Sequence, residues 1–142
     1  MNILEITFDE IERVNLKNII NMINNLNAES IELSSSNDNI QSILSESSIE
    51  DGAIYFKLSN VNIFGINLKE IFINLIIYKK ELELNMNFDS NELFKIDLDI
   101  IKRAIFEWNK TILAKNYYCG YEPATDKYTQ FFSNIHKGPL KW

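Results

Sequence analysis

The alternation of apolar and polar side chains is clearest in residues 71–88 (IFINLIIYKKELELNMNF). Residues 82–88 alternate strictly, which is the period of a half-buried β-strand. Residues 71–78 are apolar at nearly every position, which favours a strand in the interior of a sheet. Lys79, Lys80 and Glu81 form the polar cluster between the two segments and mark a turn. The pattern therefore predicts an antiparallel hairpin at the centre of the fold.

A second alternating segment lies directly upstream of this hairpin. In Ala53–Leu58, apolar side chains alternate with Tyr55 and Lys57. Ser59–Asn60 then predicts a tight turn, after which Val61–Gly65 is expected to return as another strand. Because the connections are short, the four segments are predicted to be sequential neighbours in an antiparallel meander over residues 53–88.

Two segments carry apolar side chains at helical spacing rather than strand spacing. The first helix is predicted over residues 16–26, with Asn15 as its N-cap. The second is predicted over residues 98–115, with Asp97 as its N-cap. We expect their apolar stripes to cover one face of the sheet. The stripes consist of Leu16, Ile19, Ile20, Ile23 and Leu26 in the first helix and Ile101, Ile105, Trp108 and Ile112 in the second.

Shorter alternating segments at Ile3–Phe8, Ser30–Leu33 and Tyr117–Tyr121 predict further strands. With 142 residues, 46% of them hydrophobic, the chain can build a core of its own. The predicted fold class is α+β, a mostly antiparallel sheet with both main helices packed on one face. We expect one domain over residues 1–142, with an aromatic-rich, irregular C-terminal tail over residues 116–142.

Charge narrows the range of partners. The net charge of −6 repels nucleic acid backbones and anionic lipid, so we expect neither nucleic-acid nor membrane binding. A basic protein partner fits this charge better. The single cysteine, Cys119, excludes an internal disulfide, and the N-terminus lacks the pattern of a signal peptide. Both observations favour a cytoplasmic protein.

Two polar segments, Ser34–Asn39 and Ser45–Gly52, form an acidic, serine-rich zone that is predicted to be loop. One interpretation is a solvated surface without a specific role. The alternative is a surface that contacts a partner. In that case Glu46, Glu50 and Asp51 are the candidate contact residues.

Residues with catalytic potential are few and scattered. Glu122 and Asp126 lie four residues apart and could act as a carboxylate pair, but Pro123 between them is typical of a turn. His136, the only histidine, lies in no recognised motif, and Cys119 has no nearby basic residue in the sequence to lower its pKa. Phosphate-binding, nucleophile-elbow and zinc-protease motifs are absent from the sequence. We therefore predict no catalytic residue, no cofactor, no metal and no enzymatic activity.

The C-terminal tail also contains an aromatic cluster. Tyrosine and tryptophan are enriched at interface hot spots, while packing of the tail against the rest of the domain is the alternative. We predict that some of these tyrosines, together with nearby carboxylates, contact a partner. The candidate contact residues in the tail are Tyr118, Tyr121, Glu122, Asp126 and Tyr128.

The segment Tyr118–Asp126 (YCGYEPATD), followed by Thr129, Phe131–Phe132 and Gly138–Leu140, resembles the closing segment of small bacterial immunity-type proteins. Such proteins belong to polymorphic or contact-dependent toxin systems. The resemblance covers only the end of the chain. It implies a cytoplasmic protein that binds a cognate, commonly basic, toxin domain and blocks its active site. The acidic balance would then supply complementary charge.

Two other functions remain open from the sequence. A non-catalytic structural or interaction module, including one that assembles into a homo-oligomer, would expose an apolar, self-complementary surface. A small enzyme or ligand-binding protein would bring Glu122, Asp126 or His136 together with tyrosines in a pocket. The immunity function instead predicts an exposed acidic patch with an aromatic centre.

Overall fold

The computed structural model describes residues 2–36 and 51–142, in which the chain forms an antiparallel sheet and three helices. This confirms the predicted α+β class. The strands are β1 (Ile3–Glu12), β2 (Asn27–Ser35), β3 (Gly52–Ile63), β4 (Ile66–Tyr78), β5 (Glu81–Asp89), β6 (Asn116–Tyr121) and β7 (Gln130–Ser133). The helices are α1 (Leu16–Asn25), α2 (Ser90–Leu93) and α3 (Leu98–Ile112).

The strand order in the sheet is β2-β3-β4-β5-β1-β6-β7, and neighbouring strands are antiparallel. The N-terminal strand β1 lies between β5 and β6. Leu4, for example, pairs with Phe88 on one side and with Tyr121 on the other. Residues from both ends of the chain are thereby joined to the central strands in one sheet.

The central hairpin is confirmed. β4 and β5 pair continuously from Phe72 opposite Asn87 to Tyr78 opposite Glu81. Lys79 and Lys80 connect them, with φ angles of 48° and 70°. Two consecutive positive φ angles in a two-residue loop match the twist of the flanking strands, which explains the tight connection.

The predicted turn at Ser59–Asn60 is wrong. β3 continues through both residues to Ile63, and the chain reverses at Phe64 and Gly65, whose φ angles are 57° and 82°. Asn60 adopts a left-handed conformation, with φ of 50°. Because this bends the strand locally without ending its pairing to β4, the apolar positions before and after Asn60 stay on the same face. The meander over residues 53–88 therefore contains three long strands instead of four short ones.

Both main helices are confirmed, with small differences at their ends. The side chain of Asp97 accepts a hydrogen bond from the Asp99 backbone N–H at 3.0 Å, as expected of an N-cap. Asn15 occupies the cap position of α1 but makes no side-chain capping bond, because a 3₁₀ turn (Arg13–Asn15) leads into the helix. α3 ends at Ile112 because Leu113 adopts a left-handed conformation, with φ of 58°.

The helices cover one face of the sheet. Five isoleucine side chains of these helices are fully buried: Ile19, Ile23, Ile101, Ile105 and Ile112. Trp108 is only partly buried; its ring lies 5.8 Å from that of Phe64, centroid to centroid. The predicted apolar stripes therefore form the core of the protein.

The C-terminal segment joins the sheet through β6 and β7. Gly120 allows these strands to approach closely, because a Cβ at this position would lie 2.3 Å from the carbonyl oxygen of Thr129. Beyond β7 the chain returns to the body, where the Trp142 indole N–H donates a hydrogen bond to the Ile96 carbonyl at 2.8 Å. The sequence pattern did not predict β7, which has only four residues.

Neighbouring positions on α3 provide a direct test of this packing. Ile105→Ala should lower the free energy of unfolding by about 2–5 kcal/mol, because it leaves a cavity at a fully buried position. Phe106→Ala should change it by less than about 0.5 kcal/mol, because that side chain is 55% exposed. Urea unfolding followed by circular dichroism measures both values, and equal effects would contradict the assignment of the buried face.

Candidate functional site

The sheet face that points away from the helices is the main accessible feature of the fold. Directly paired residues of antiparallel strands lie on the same face. The row Thr7, Asn85, Asn74 and Tyr55 is therefore on one face, and the neighbouring rows of apolar residues lie under the helices. We call the face that carries this row the open face.

The open face is strongly acidic. Its carboxylates outnumber its two lysines, Lys57 and Lys69. Lys57 already forms a salt bridge, in which its Nζ lies 3.5 Å from Glu70 Oε1. The helix side is different, because α3 carries Lys102, Arg103 and Lys110. Within residues 2–36 and 51–142, the carboxylates are thus concentrated on the open face rather than on α3. The carboxylates of the open face are Glu5, Asp9, Glu12, Glu32, Glu70, Glu81, Glu83 and Asp89.

Three exposed aromatic side chains lie within this acidic surface. Tyr55, Phe72 and Tyr78 are 43%, 45% and 59% exposed. Tyr55 lies opposite Asn74 and Phe72 lies opposite Lys57, which makes the two rings diagonal neighbours on adjacent strands. Sequence reasoning did not select these residues as contacts. The signal in the sequence was an aromatic side chain at a position that the alternation assigns to the polar face of the strand.

A loop between β6 and β7 closes one end of the open face. Glu5 is only 8% exposed, and its Oε1 accepts hydrogen bonds from the Ala124 backbone N–H and the Thr7 hydroxyl, each at 3.0 Å. The Gln130 side-chain amide donates to the Ala124 carbonyl at 2.9 Å. These bonds hold residues 122–129 over β1 at the open face.

The structure brings four of the predicted contact residues to this end of the sheet. Tyr118 pairs with Thr7 and therefore lies on the open face. Glu122 and Asp126 are exposed in the loop, where Asp126 accepts a hydrogen bond from the Tyr128 backbone N–H at 3.0 Å. Tyr128 is 72% exposed.

Tyr121 lies on the opposite face. It pairs with Leu4 and contacts the ring of Phe131 at a centroid distance of 5.4 Å and that of Phe94 at 6.3 Å. Trp142 completes this aromatic cluster. Tyr121 therefore packs the C-terminal segment onto the body of the protein.

Asp51 lies far from the loop of residues 122–129. It precedes β3, and its Oδ1 accepts a hydrogen bond from the Lys79 backbone N–H at 2.9 Å. Lys57 lies six residues after Asp51 and in the same row across the sheet as Glu5. Asp51 is therefore about 20 Å from that row, measured along the strand direction. Glu46 and Glu50 lie outside the described residues. The involvement of all three in binding stays a prediction.

Asp9 and Tyr118 are the electrostatically perturbed pair of the open face. Burial raises the pKa of Asp9, against the opposing effect of hydrogen bonds from Asn116 and Tyr118. Burial, followed by the nearby Asp9 charge, raises the pKa of Tyr118. The Asp9 Oδ1 atom is buried without a hydrogen-bond donor in the described part of the protein. The native fold therefore holds this carboxylate at a cost to its own stability.

Among the described residues, the other side chains that could react or bind a ligand do not form a shared site. Burial raises the pKa of the Cys119 thiol to about 12, so it stays protonated at neutral pH. The Nδ1 of His136 lies 3.0 Å from the Ser133 hydroxyl at the surface. His136 lines a groove of about 250 Å³ with Tyr128, but Glu122 and Asp126 do not line it. Residues 2–36 and 51–142 contain no group of three or more histidine, cysteine or acidic side chains suited to hold a metal ion.

Comparison with known families decides what kind of protein this is. The model of the PABL017 Cdi1I immunity protein family matches residues 2–137. The chain belongs to this family of Cdi1I immunity proteins. The match extends the resemblance seen in the C-terminal segment to nearly the whole chain. It confirms the predicted immunity class and, with it, a protein-binding and non-enzymatic role.

A solved structure contains a chain with the same fold as this Cdi1I-family protein. The similar chain belongs to the 1.75 Å crystal structure of the toxic C-terminal tip of CdiA from Pseudomonas aeruginosa in complex with immune protein. The TM-score is 0.81 at 22% sequence identity, and the alignment covers 99% of both chains. A search of curated proteins gave no significant match. Within the described residues, no helix is both long and apolar enough to cross a membrane.

The cost of holding Asp9 can be measured through the stability of the free protein. Because its folded pKa lies above the ordinary value of 3.8, the native state keeps the proton to higher pH than the unfolded chain. The contribution of Asp9 to stability therefore falls as pH rises from about 4 through the folded pKa. Asp9→Asn should raise the Tm at pH 7 and leave it nearly unchanged at pH 3.

The matched control is Glu107→Gln, which removes the same charge from an exposed position on α3. It should shift the Tm much less at pH 7. A Tm for Asp9→Asn that is equal to or below that of the unmodified protein at pH 7 would show that Asp9 is not held at a cost.

Proposed function

We propose that this Cdi1I-family protein neutralises a cognate CdiA-type toxin tip in the cytoplasm by binding it through the open face. The observation that carries the proposal is the coincidence of excess carboxylates and exposed aromatic rings on one sheet face. Charge complementarity accelerates encounter with a basic domain, and buried aromatic contacts then slow dissociation. Binding of this kind blocks the toxin by covering it and requires no chemistry from the immunity protein.

The dimensions of the open face support this function. Six inter-strand spacings and about ten residues along the central strands give a face of roughly 29 Å by 33 Å. The resulting area, on the order of 900 Å², is close to the roughly 800 Å² that each partner buries in a stable complex. The open face is therefore large enough to form the principal interface without the helix side.

The solved complex described above supports a toxin tip as the partner. A chain in that complex shares the fold of this protein over 99% of its length. Family membership supplies the immunity role. The free, buried Cys119 is compatible with a reducing cytoplasm, where the toxin would act.

Co-expression with a cognate CdiA-type toxin tip tests the function. The expected result is a stable one-to-one complex and protection of cells from growth inhibition. Affinity should fall with rising salt, because the open face contributes through exposed charge. Failure to form a complex and to protect cells would contradict the proposed function.

Two open-face substitutions test which surface binds. Glu83→Lys reverses a charge at the centre of the open face, and Tyr55→Ala removes an exposed ring. Each should raise the Kd for the toxin tip at least about tenfold, equivalent to about 1.4 kcal/mol. Calorimetry measures the Kd, and circular dichroism verifies that each variant is folded.

The matched controls lie on α3, on the opposite side of the molecule. Glu107→Lys and Phe106→Ala make the same kinds of change at exposed positions and should leave the Kd within about twofold. If only the α3 variants weaken toxin binding, the interface lies on the helix side and the proposed surface is wrong. A separate variant with Glu46, Glu50 and Asp51 changed to lysine tests whether the acidic, serine-rich zone of the sequence also contacts the toxin.

A further inference from the structure

A cleft of about 790 Å³ opens at one end of the open face, between β4, β5 and the short helix α2. Its apolar surface comes from Ile3, Phe72 and Phe88. Phe88 is nearly fully buried, whereas Ile3 and Phe72 are 42% and 45% exposed. The cleft thus combines a rigid base with two accessible apolar side walls.

Three carboxylates surround this apolar surface. Asp89 Oδ1 accepts a hydrogen bond from the Asn91 backbone N–H at 2.9 Å, and Glu92 Oε2 accepts one from the Lys69 backbone N–H at 3.2 Å. Each of these bonds occupies one oxygen and holds its carboxylate in place. Glu70 is the third carboxylate, and among the described residues Lys69 is the one cationic residue that lines the cleft. The lining is therefore net negative.

Asn87 adds an independent indication of what the cleft accepts. It lies between Glu5 and Phe72 in the row across the open face, and it lines the cleft. Its side-chain Oδ1 is buried and has no hydrogen-bond donor among the described residues. A buried acceptor without a donor is costly in a free protein. An N–H donor from a partner would relieve that cost after a small side-chain movement.

We infer that the cleft receives an arginine side chain of the toxin tip, an inference that rests on the proposed function. A guanidinium is planar, carries several N–H donors and is weakly hydrated, so it can bond to carboxylates while it stacks on the Phe72 ring. A lysine ammonium satisfies the charge but does not stack in this way. A neutral apolar side chain would fit the walls and leave the carboxylates and the Asn87 oxygen without a donor.

Arginine amide tests the cleft without any toxin. In ¹⁵N-labelled full-length protein, it should shift the backbone amides of Ser59, Asn87 and Asp89 in a saturable manner. Lysine amide should bind several-fold more weakly, and norleucine amide should cause no saturable shift. Glu92→Gln should lower the affinity for arginine amide at least threefold, because glutamine can keep the hydrogen bond from the Lys69 backbone N–H but lacks the negative charge. The matched variant Glu107→Gln should not.

Equal shifts with arginine and norleucine amides, or shifts spread evenly over the whole acidic face, would overturn the inference. The first result would indicate a purely apolar cleft. The second would indicate diffuse screening of charge without a defined site.

A single engineered thiol then tests occupation of the cleft by the toxin. Ser59 on β3 also lines the cleft, so Ser59→Cys places a thiol there. Asn21→Cys places a thiol at an exposed position of α1 as a control. The natural Cys119 is buried, with its pKa raised to about 12, so it does not compete for iodoacetamide. Toxin binding should slow alkylation of the Ser59→Cys thiol at least tenfold and leave the Asn21→Cys thiol unchanged.

The outcomes separate this inference from the proposed function. If the complex forms and cells are protected while the Ser59→Cys thiol stays fully reactive, the arginine inference fails and the immunity function stands. If no complex forms, the proposed function fails, and the amide titration still decides whether the cleft binds guanidinium. Protection of the thiol by increasing concentrations of the free protein itself would identify a second copy as the occupant and overturn the inference.

Discussion

The fold depends on the position of β1 between β5 and β6. Leu4, Ile6 and Phe8 on this strand are fully buried, and they join the apolar rows of the central hairpin to those of the C-terminal strands. The segment Leu4–Asp9 of β1 has a paired strand on both sides. With β1 in this position, one continuous core is covered by both helices, and no helix or strand of residues 2–36 and 51–142 packs on the opposite face.

The two faces of β1 have different physical roles. Its apolar side chains contribute to the core, whereas Glu5, Thr7 and Asp9 point to the open face. Glu5 accepts a hydrogen bond from the loop of residues 122–129, while Asp9 retains a buried oxygen without a hydrogen-bond donor among the described residues. A surface that holds unsatisfied acceptors and exposed rings is less favourable for the free protein than for a complex. This is the pattern expected of a binding face, and it agrees with membership of an immunity family.

Much of the fold was predictable because it follows from local periodicity. Strict alternation over residues 82–88 and the polar cluster at Lys79–Glu81 gave the hairpin, and helical spacing with Asp97 as a cap gave α3. The turn predicted at Ser59–Asn60 was wrong because local composition cannot reveal that Asn60 bends a strand that β4 continues to pair. β7 was missed because four residues carry too little periodicity to stand out.

The sequence by itself determined the α+β class, the two helices, the central hairpin and the acidic character of the protein, because these depend on residue spacing and charge. The tertiary structure decided which polar residues share a surface. Tyr118 and Tyr121 are three residues apart, yet they lie on opposite faces, since direction alternates along a strand. Phe72 is distant in sequence from Asn87 and Glu92, and the three meet at one cleft because strand pairing and the turn into α2 bring them together. Such placement depends on strand order and on the path of the chain between elements, which the spacing of side chains within one segment does not encode.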